Sequence, residues 1–141
     1  MAAINKKRVL LGGLVGGLVW NVWSILVHTL ILGPRYHAAQ ESGHLLAAPR
    51  YGAFMPLWML TLFVLAFITA KFYAALRGVC GPGPMTAISV GLMIGFAAGF
   101  PENFATSAWV PVSRWLPFWW ALDMGVGAVA SALIAGWLYR E

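Results

Sequence analysis

Between Val9 and Leu32 the chain carries no Asp, Glu, Lys or Arg, a run of 24 residues directly after Lys6, Lys7 and Arg8. Three further runs follow. Tyr51 to Ala70 gives 20 residues between Arg50 and Lys71, Met85 to about Thr106 is interrupted only by Glu102, and Leu116 to Leu138 holds one acid, Asp123. A helix rises about 1.5 Å per residue, so each run is long enough to cross a hydrocarbon core of about 30 Å. The runs are continuously apolar rather than alternating, and lipid cannot satisfy an open sheet edge, so helices are the expected spanning form. The expected fold is all-α: a polytopic membrane protein, one transmembrane domain over 1–141, with spans at about 9–32, 53–76, 85–106 and 116–138. Composition excludes the alternatives. Only 9% of residues are charged and 61% are hydrophobic, against roughly 25% charged in a soluble domain. Disorder needs the opposite balance.

The positive charges set direction. Lys6, Lys7, Arg8, Lys71, Arg77 and Arg140 fall on one side of a four-span bundle, and Arg35, Arg50 and Arg114 on the other. Six against three predicts both termini in the cytoplasm. The first apolar run exceeds the 7–15 residues of a secretory h-region, so it reads as a retained span. Cys80 is the single cysteine, which leaves no internal disulfide. The net charge of +5 is split between two membrane faces and forms no stripe, so nucleic acid is rejected as a partner. The lipid bilayer is the expected partner, with anionic headgroups near Lys6–Arg8.

Small residues recur every four positions: Gly12 with Gly16, Gly13 with Gly17, then Ala87, Gly91, Gly95 and Gly99, then Ala128, Ala132 and Gly136. Such rows let helix backbones approach where lipid supplies no hydrophobic drive. They predict packing inside the bundle or, alternatively, a surface for a second copy. The second span lacks such a row and carries Trp58, Phe63, Phe67 and Phe72, which predicts a lipid- or partner-facing helix. Trp109, Trp115, Trp119 and Trp120, with Tyr36 and Tyr51, mark the outer end, and Trp137 and Tyr139 the inner end. An aromatic belt accounts for them, and a pigment or quinone pocket is the sharper reading.

Ionisable groups at membrane depth are costly and point to function. Asn21 lies about 18 Å above Val9 and Asp123 about 10 Å below Leu116, so the two are expected at one level and within hydrogen-bond reach. His28 and Glu102 fall near the outer interface. Asn21, His28, Glu102, Asn103 and Asp123 therefore form a predicted polar vestibule for a ligand or a proton, with His28 a possible axial ligand of a haem or chlorin. The bland reading is an interhelical Asn21–Asp123 hydrogen bond worth about 0.6–2 kcal/mol. Pro101 is expected to break or kink the third span and free the carbonyl near Ala97. His37, Glu41 and His44, at i, i+4 and i+7, would share one helical face, which makes them a weak candidate for a divalent metal. No phosphate loop, Cys-x-x-Cys pair or nucleophile elbow is present, so no enzyme and no particular cofactor is specified. Gly81-Pro82-Gly83-Pro84 reads as a tight turn.

Tyr73-Ala74-Ala75-Leu76-Arg77, then Gly81-Pro82-Gly83-Pro84 and Thr86-Ala87, resemble a family of small bacterial inner-membrane proteins with four expected spans and no assigned activity. The opening Val9–Val15 with Asn21, the acid at Asp123 and the closing Ala135-Gly136-Trp137-Leu138-Tyr139 are similar to the same family. The resemblance implies a multi-pass protein of the bacterial plasma membrane. The expectation is a non-enzymatic accessory or scaffold subunit of a larger membrane complex, or a homo-oligomer. Alternatives are a small-molecule or cofactor site in the outer half and an oligomeric transporter or channel unit.

Overall fold

The protein, seen in a computed structural model, is described over residues 4–139; Arg140, one of the six positive charges above, lies outside them. Four long helices are long and apolar enough to cross a membrane. α1 (Lys6–Leu26) runs on through a five-residue π-helical segment, Val27–Ile31. The short α2 (Gly33–Glu41) follows, then α3 (Phe54–Cys80), α4 (Pro84–Trp109) and α5 (Trp115–Leu138). The chain is an all-helical, multi-pass membrane bundle.

Local chemistry sets the ends. The Asn5 side chain accepts from the Arg8 amide at 3.2 Å, which starts α1 three residues before the charge-free run begins. α3 outruns its expected end at 76 and stops at Gly81, whose φ of +86° ends a helix that Pro82 cannot continue. Pro84 opens α4 at a position where its missing N–H costs nothing. Of the break or kink expected at Pro101, no break occurs: the helix runs unbroken from Pro84 to Trp109. The residues before it are held against α5, so a lost backbone bond is outweighed by packing.

Three interhelical rows hold the bundle. On α1, Gly12 meets Ala135, Gly16 meets Ser131, and Trp20 lies over Gly127 on α5. A Cβ on Gly16 would stand 2.5 Å from the Ser131 Oγ. One residue around, Gly13 and Gly17 receive the rings of Phe67 and Phe63 from α3. This corrects the expectation that α3 faces only lipid or a partner: its bulk fits the glycine hollows of α1. On α4, Gly91, Gly95 and Gly99 meet Val129, Gly125 and Ala121 on α5. Ala132 is fully buried with Tyr73 and Ala87, and Gly136 lies against the Tyr73 ring. The predicted packing residues are thus taken up inside one chain.

These rows differ in what an added methyl would meet. A Cβ on Gly91 would lie 2.5 Å from the Val129 Cα and 2.9 Å from its N, backbone that cannot swing aside. Gly91→Ala is expected to destabilise the bundle by about 1–3 kcal/mol. Nothing stands within 4 Å of a Cβ on Gly78 in α3, so Gly78→Ala is expected to stabilise by about 0.5–1 kcal/mol. Unfolding in mixed micelles measures both.

At the end bearing the termini, the Tyr139 hydroxyl accepts from the Asn5 amide at 2.8 Å. Arg77 donates to the Tyr139 carbonyl at 3.0 Å and lies 4.7 Å from its ring centroid. The Tyr73 hydroxyl accepts from the Gly83 amide at 3.3 Å. Tyr73, Arg77, Gly83 and Tyr139 therefore tie helix ends together here.

Candidate functional site: a buried aspartate and its histidine

The α1 row that runs Gly12, Gly16, Trp20 continues at the same spacing to Ser24 and His28. The α5 row Ala135, Ser131, Gly127 continues to Asp123. Extending the packing by one more step of four places Ser24 opposite Asp123, and the Ser24 hydroxyl donates to Oδ2 at 2.8 Å. His28 Nε2 lies 3.4 Å from the same oxygen. The Asp123 side chain is 1% exposed and that of His28 31%, so the imidazole stands between the carboxylate and the surface.

The π-helical segment positions His28. Leu32 N bonds to Val27 O at 3.0 Å, one residue beyond the α pattern. Pro34 follows, with no N–H to offer. Single π turns recur at functional sites because they re-aim side chains. Here the chain turns into α2, whose Tyr36 hydroxyl lies 2.8 Å from His28 Nδ1. Trp120 Nε1 donates to the same hydroxyl at 2.6 Å.

The direction of this chain of bonds follows from its donors. Indole N–H only donates, so the Tyr36 oxygen accepts from Trp120; with His28 assigned the Nε2–H tautomer by the carboxylate it faces, the phenol hydrogen goes to Nδ1. Nδ1 is then an acceptor, and Nε2 carries the proton that faces Asp123. Burial pushes the Tyr36 phenol up to about 12; the Trp120 hydrogen bond opposes this and the Asp123 charge adds to it. The phenol therefore stays protonated at physiological pH.

Several expectations change. Asn21 does not reach Asp123. It lies on the Gly13–Gly17 row, facing α3, where Nδ2 donates to Gly17 O at 2.9 Å and to Met59 O at 3.3 Å. Depth alone had matched it to Asp123, whereas its direction around the helix places it elsewhere. Glu102 is exposed and Asn103 half-buried on α4, and Asn103 Nδ2 caps back to Gly99 O at 2.7 Å. The predicted vestibule thus reduces to His28 and Asp123, joined by Ser24, Tyr36 and Trp120. His28 is not placed as an axial haem or chlorin ligand, because both ring nitrogens face partners within the protein. The metal candidate also separates. α2 ends at Glu41, Gly43 turns the chain at φ +74°, and His44 Nδ1 lies 3.0 Å from the Ser42 hydroxyl. Among the described residues no group of three His, Cys, Asp or Glu is placed to hold a metal ion.

Five buried side-chain polar atoms of the described residues have unmet capacity, among them Trp20 Nε1, Trp23 Nε1 and Ser131 Oγ. Asp123 Oδ1 and Asn21 Oδ1 are buried without a hydrogen-bond partner among the described residues. Buried carboxylate oxygens are normally satisfied, so an unmet one calls for an explanation. Ser24 joins the site although it stands outside the expected polar set. Its signal was the continuation of Gly12, Gly16 and Trp20 by four. Comparisons of the chain with protein-family models, with curated proteins and with solved structures find no match.

Proposed function

We propose that this membrane protein works by binding and exchanging a proton at the Asp123–His28 pair. The observation that carries the reading is the asymmetry of one carboxylate. Oδ2 is held by Ser24 and a partly exposed imidazole, while Oδ1 is buried with no partner among the described residues. A proton taken from water enters at Nδ1, where the Tyr36 hydroxyl turns from donor to acceptor, and either stays as imidazolium against the carboxylate or releases the Nε2 proton to Asp123 Oδ2. Each route adds one proton to the pair. The role is non-enzymatic, because nothing in the centre presents a nucleophile to a substrate.

Asp123 is the only aspartate in the chain, which makes the test direct. Infrared difference spectra between acidic and alkaline samples should show a protonated-carboxyl band beyond those of the three glutamates. The band should be absent in Asp123→Asn and shifted in His28→Gln. A spectrum identical in wild type and Asp123→Asn overturns the reading.

Membership of a larger membrane complex is the second reading. Its support is that, beyond the spans, the described chain offers only α2, the 42–53 connection and two short turns. Proton binding at the bundle then serves that complex. The positive charges support cytoplasmic termini, and the resemblance to a bacterial family supports a plasma-membrane location.

A further inference from the structure

The short α2 is tied to the His28–Asp123 pair by one side chain. Of its nine residues only Ala39 is buried. Tyr36, three residues earlier and so on the same face, is half-buried, and Arg35, His37 and Glu41 are exposed. Leu32, just before the helix, and Ala39 pack with Val112 and Leu116. Two small apolar contacts of this kind leave the Tyr36 hydroxyl as the polar anchor of α2. The Tyr36 ring also stacks with His28 at 5.9 Å and with Trp120 at 6.4 Å between centroids. At the start of α2 the π-helical segment Val27–Ile31 runs into Gly33 and Pro34. Pro34 has no N–H to give a helical bond, and nothing stands within 4 Å of a Cβ on Gly33. The joint is thus short of backbone bonds and unpacked at its glycine.

The bond that anchors α2 depends on where the proton is. Before uptake, the Tyr36 oxygen accepts from Trp120 at 2.6 Å and its hydroxyl donates to His28 Nδ1, 2.8 Å away. A proton taken up by the pair enters at Nδ1. That nitrogen then carries hydrogen in both products, imidazolium against carboxylate and neutral imidazole beside a carboxylic acid. In each, two N–H groups point at one phenol oxygen, and the phenol's own hydrogen has lost its acceptor. Among the described residues the Tyr36 hydroxyl has no third partner. A half-buried donor left without an acceptor is unfavourable, and water satisfies it once the helix lifts.

The groups that face His28 are few. Asp123 comes from α5 and Tyr36 from α2. Arg35 turns back to the Ile31 carbonyl at 3.1 Å. His37 and Glu41 on α2, Glu102 on α4 and Arg114 at the start of α5 are exposed and form no ion pair among the described residues. We propose that α2 is a proton-operated lid: uptake at the His28–Asp123 pair turns the Tyr36 hydroxyl out of its bond, and α2 swings away about the π-helical joint. The inference rests on the proton-binding reading above and adds to it what the proton controls. Release uncovers an imidazole whose side chain is already 31% exposed, so the loaded pair gains contact with water and the unloaded pair is closed over.

Pulsed electron paramagnetic resonance on the full chain in lipid nanodiscs tests this. One nitroxide goes on the native Cys80, exposed at the far end of α3, and one on Ala38→Cys, exposed on α2. Alkaline samples should give one distance population. Acidic samples should add a second, with the ratio of released to docked helix raised about tenfold, the size of effect of one lost hydrogen bond. His28→Gln offers Tyr36 an acceptor and Asp123 a donor but takes up no proton, so it should keep the docked distance in both. Tyr36→Phe should give one distribution at either pH while the Asp123 infrared band persists. A response to acid retained in Tyr36→Phe overturns the inference. An unchanged wild-type distance in samples that show the Asp123 band overturns it too, and leaves proton binding standing. Loss of both band and distance change overturns both readings.

Discussion

Trp20→Ala is expected to destabilise the bundle by about 3 kcal/mol, at the low end of the range for deleting a buried tryptophan. Trp20 has no exposed surface and lies where a Cβ on Gly127 would otherwise be, so one large side chain fills the space that one glycine vacates. The low end applies because the unfolded reference is a helix in lipid, which removes most of the water-transfer contribution and leaves mainly lost contacts and a void. A size exchange separates this account from general disruption. Gly127→Leu alone should destabilise, since its side chain enters the indole. In the Trp20→Ala background the same change should recover part of the loss. Unfolding free energies of the four proteins in mixed micelles give the coupling. Strict additivity would show that Trp20 and Gly127 do not share one space.

The second large effect concerns the polar centre. His28→Ala removes the group that faces both Tyr36 and Asp123, leaving the phenol without its acceptor and Oδ2 with Ser24 alone. An orphaned buried polar group costs about 1–3 kcal/mol, and one is created here, the Tyr36 hydroxyl hydrogen, while Oδ2 keeps Ser24. Asp123→Leu alone leaves the Ser24 hydroxyl and His28 Nε2 unsatisfied at a similar cost. The double variant should be less damaging than the sum, because removing both partners of a buried polar contact is nearly neutral when the replacement packs. The readouts are unfolding free energy and the hydrogen exchange of α2. Faster exchange in α2 confined to variants of His28 identifies the Tyr36 link as what docks that helix. Unchanged exchange would show that α2 is held by Leu32 and Ala39 packing on the bundle instead.

The spans were readable because lipid imposes a single demand, the absence of charge over about 20 residues. Lys6, Arg8, Arg50 and Arg77 stand close to that demand's limits. The small-residue rows were readable for the same reason that they pack: a step of four keeps one face. The pairing of Asn21 with Asp123 failed on a second coordinate. Rise along the helix fixes depth, but one residue of offset turns a side chain by about 100°, a consequence of 3.6 residues per turn. That offset separates the Gly13–Gly17–Asn21 row from the Gly12–Gly16–Trp20–Ser24 row, and only the second faces α5. The π-helical segment left no periodic trace, because five residues between apolar neighbours read equally well as an α-helix. Without it, the approach of Tyr36 to His28 was invisible. The Trp120 indole was counted with the interfacial aromatics because position near a helix end says nothing of a hydrogen-bond partner.

The double use of α5 sets an order of assembly. Helices enter a membrane separately and associate afterwards, and synthesis delivers α1 and α3 well before α5. Phe63 and Phe67 can settle on Gly13 and Gly17 at once. The Gly12–Gly16–Trp20 row, and Ser24 and His28 beyond it, must wait for α5 before they meet their partners, as must the glycines of α4. For that interval the nascent protein exposes polar side chains and a tryptophan to lipid or to whatever chaperone attends insertion. The same helix that completes the packing also brings the acid that those side chains await, so correct folding and completion of the polar centre become a single event.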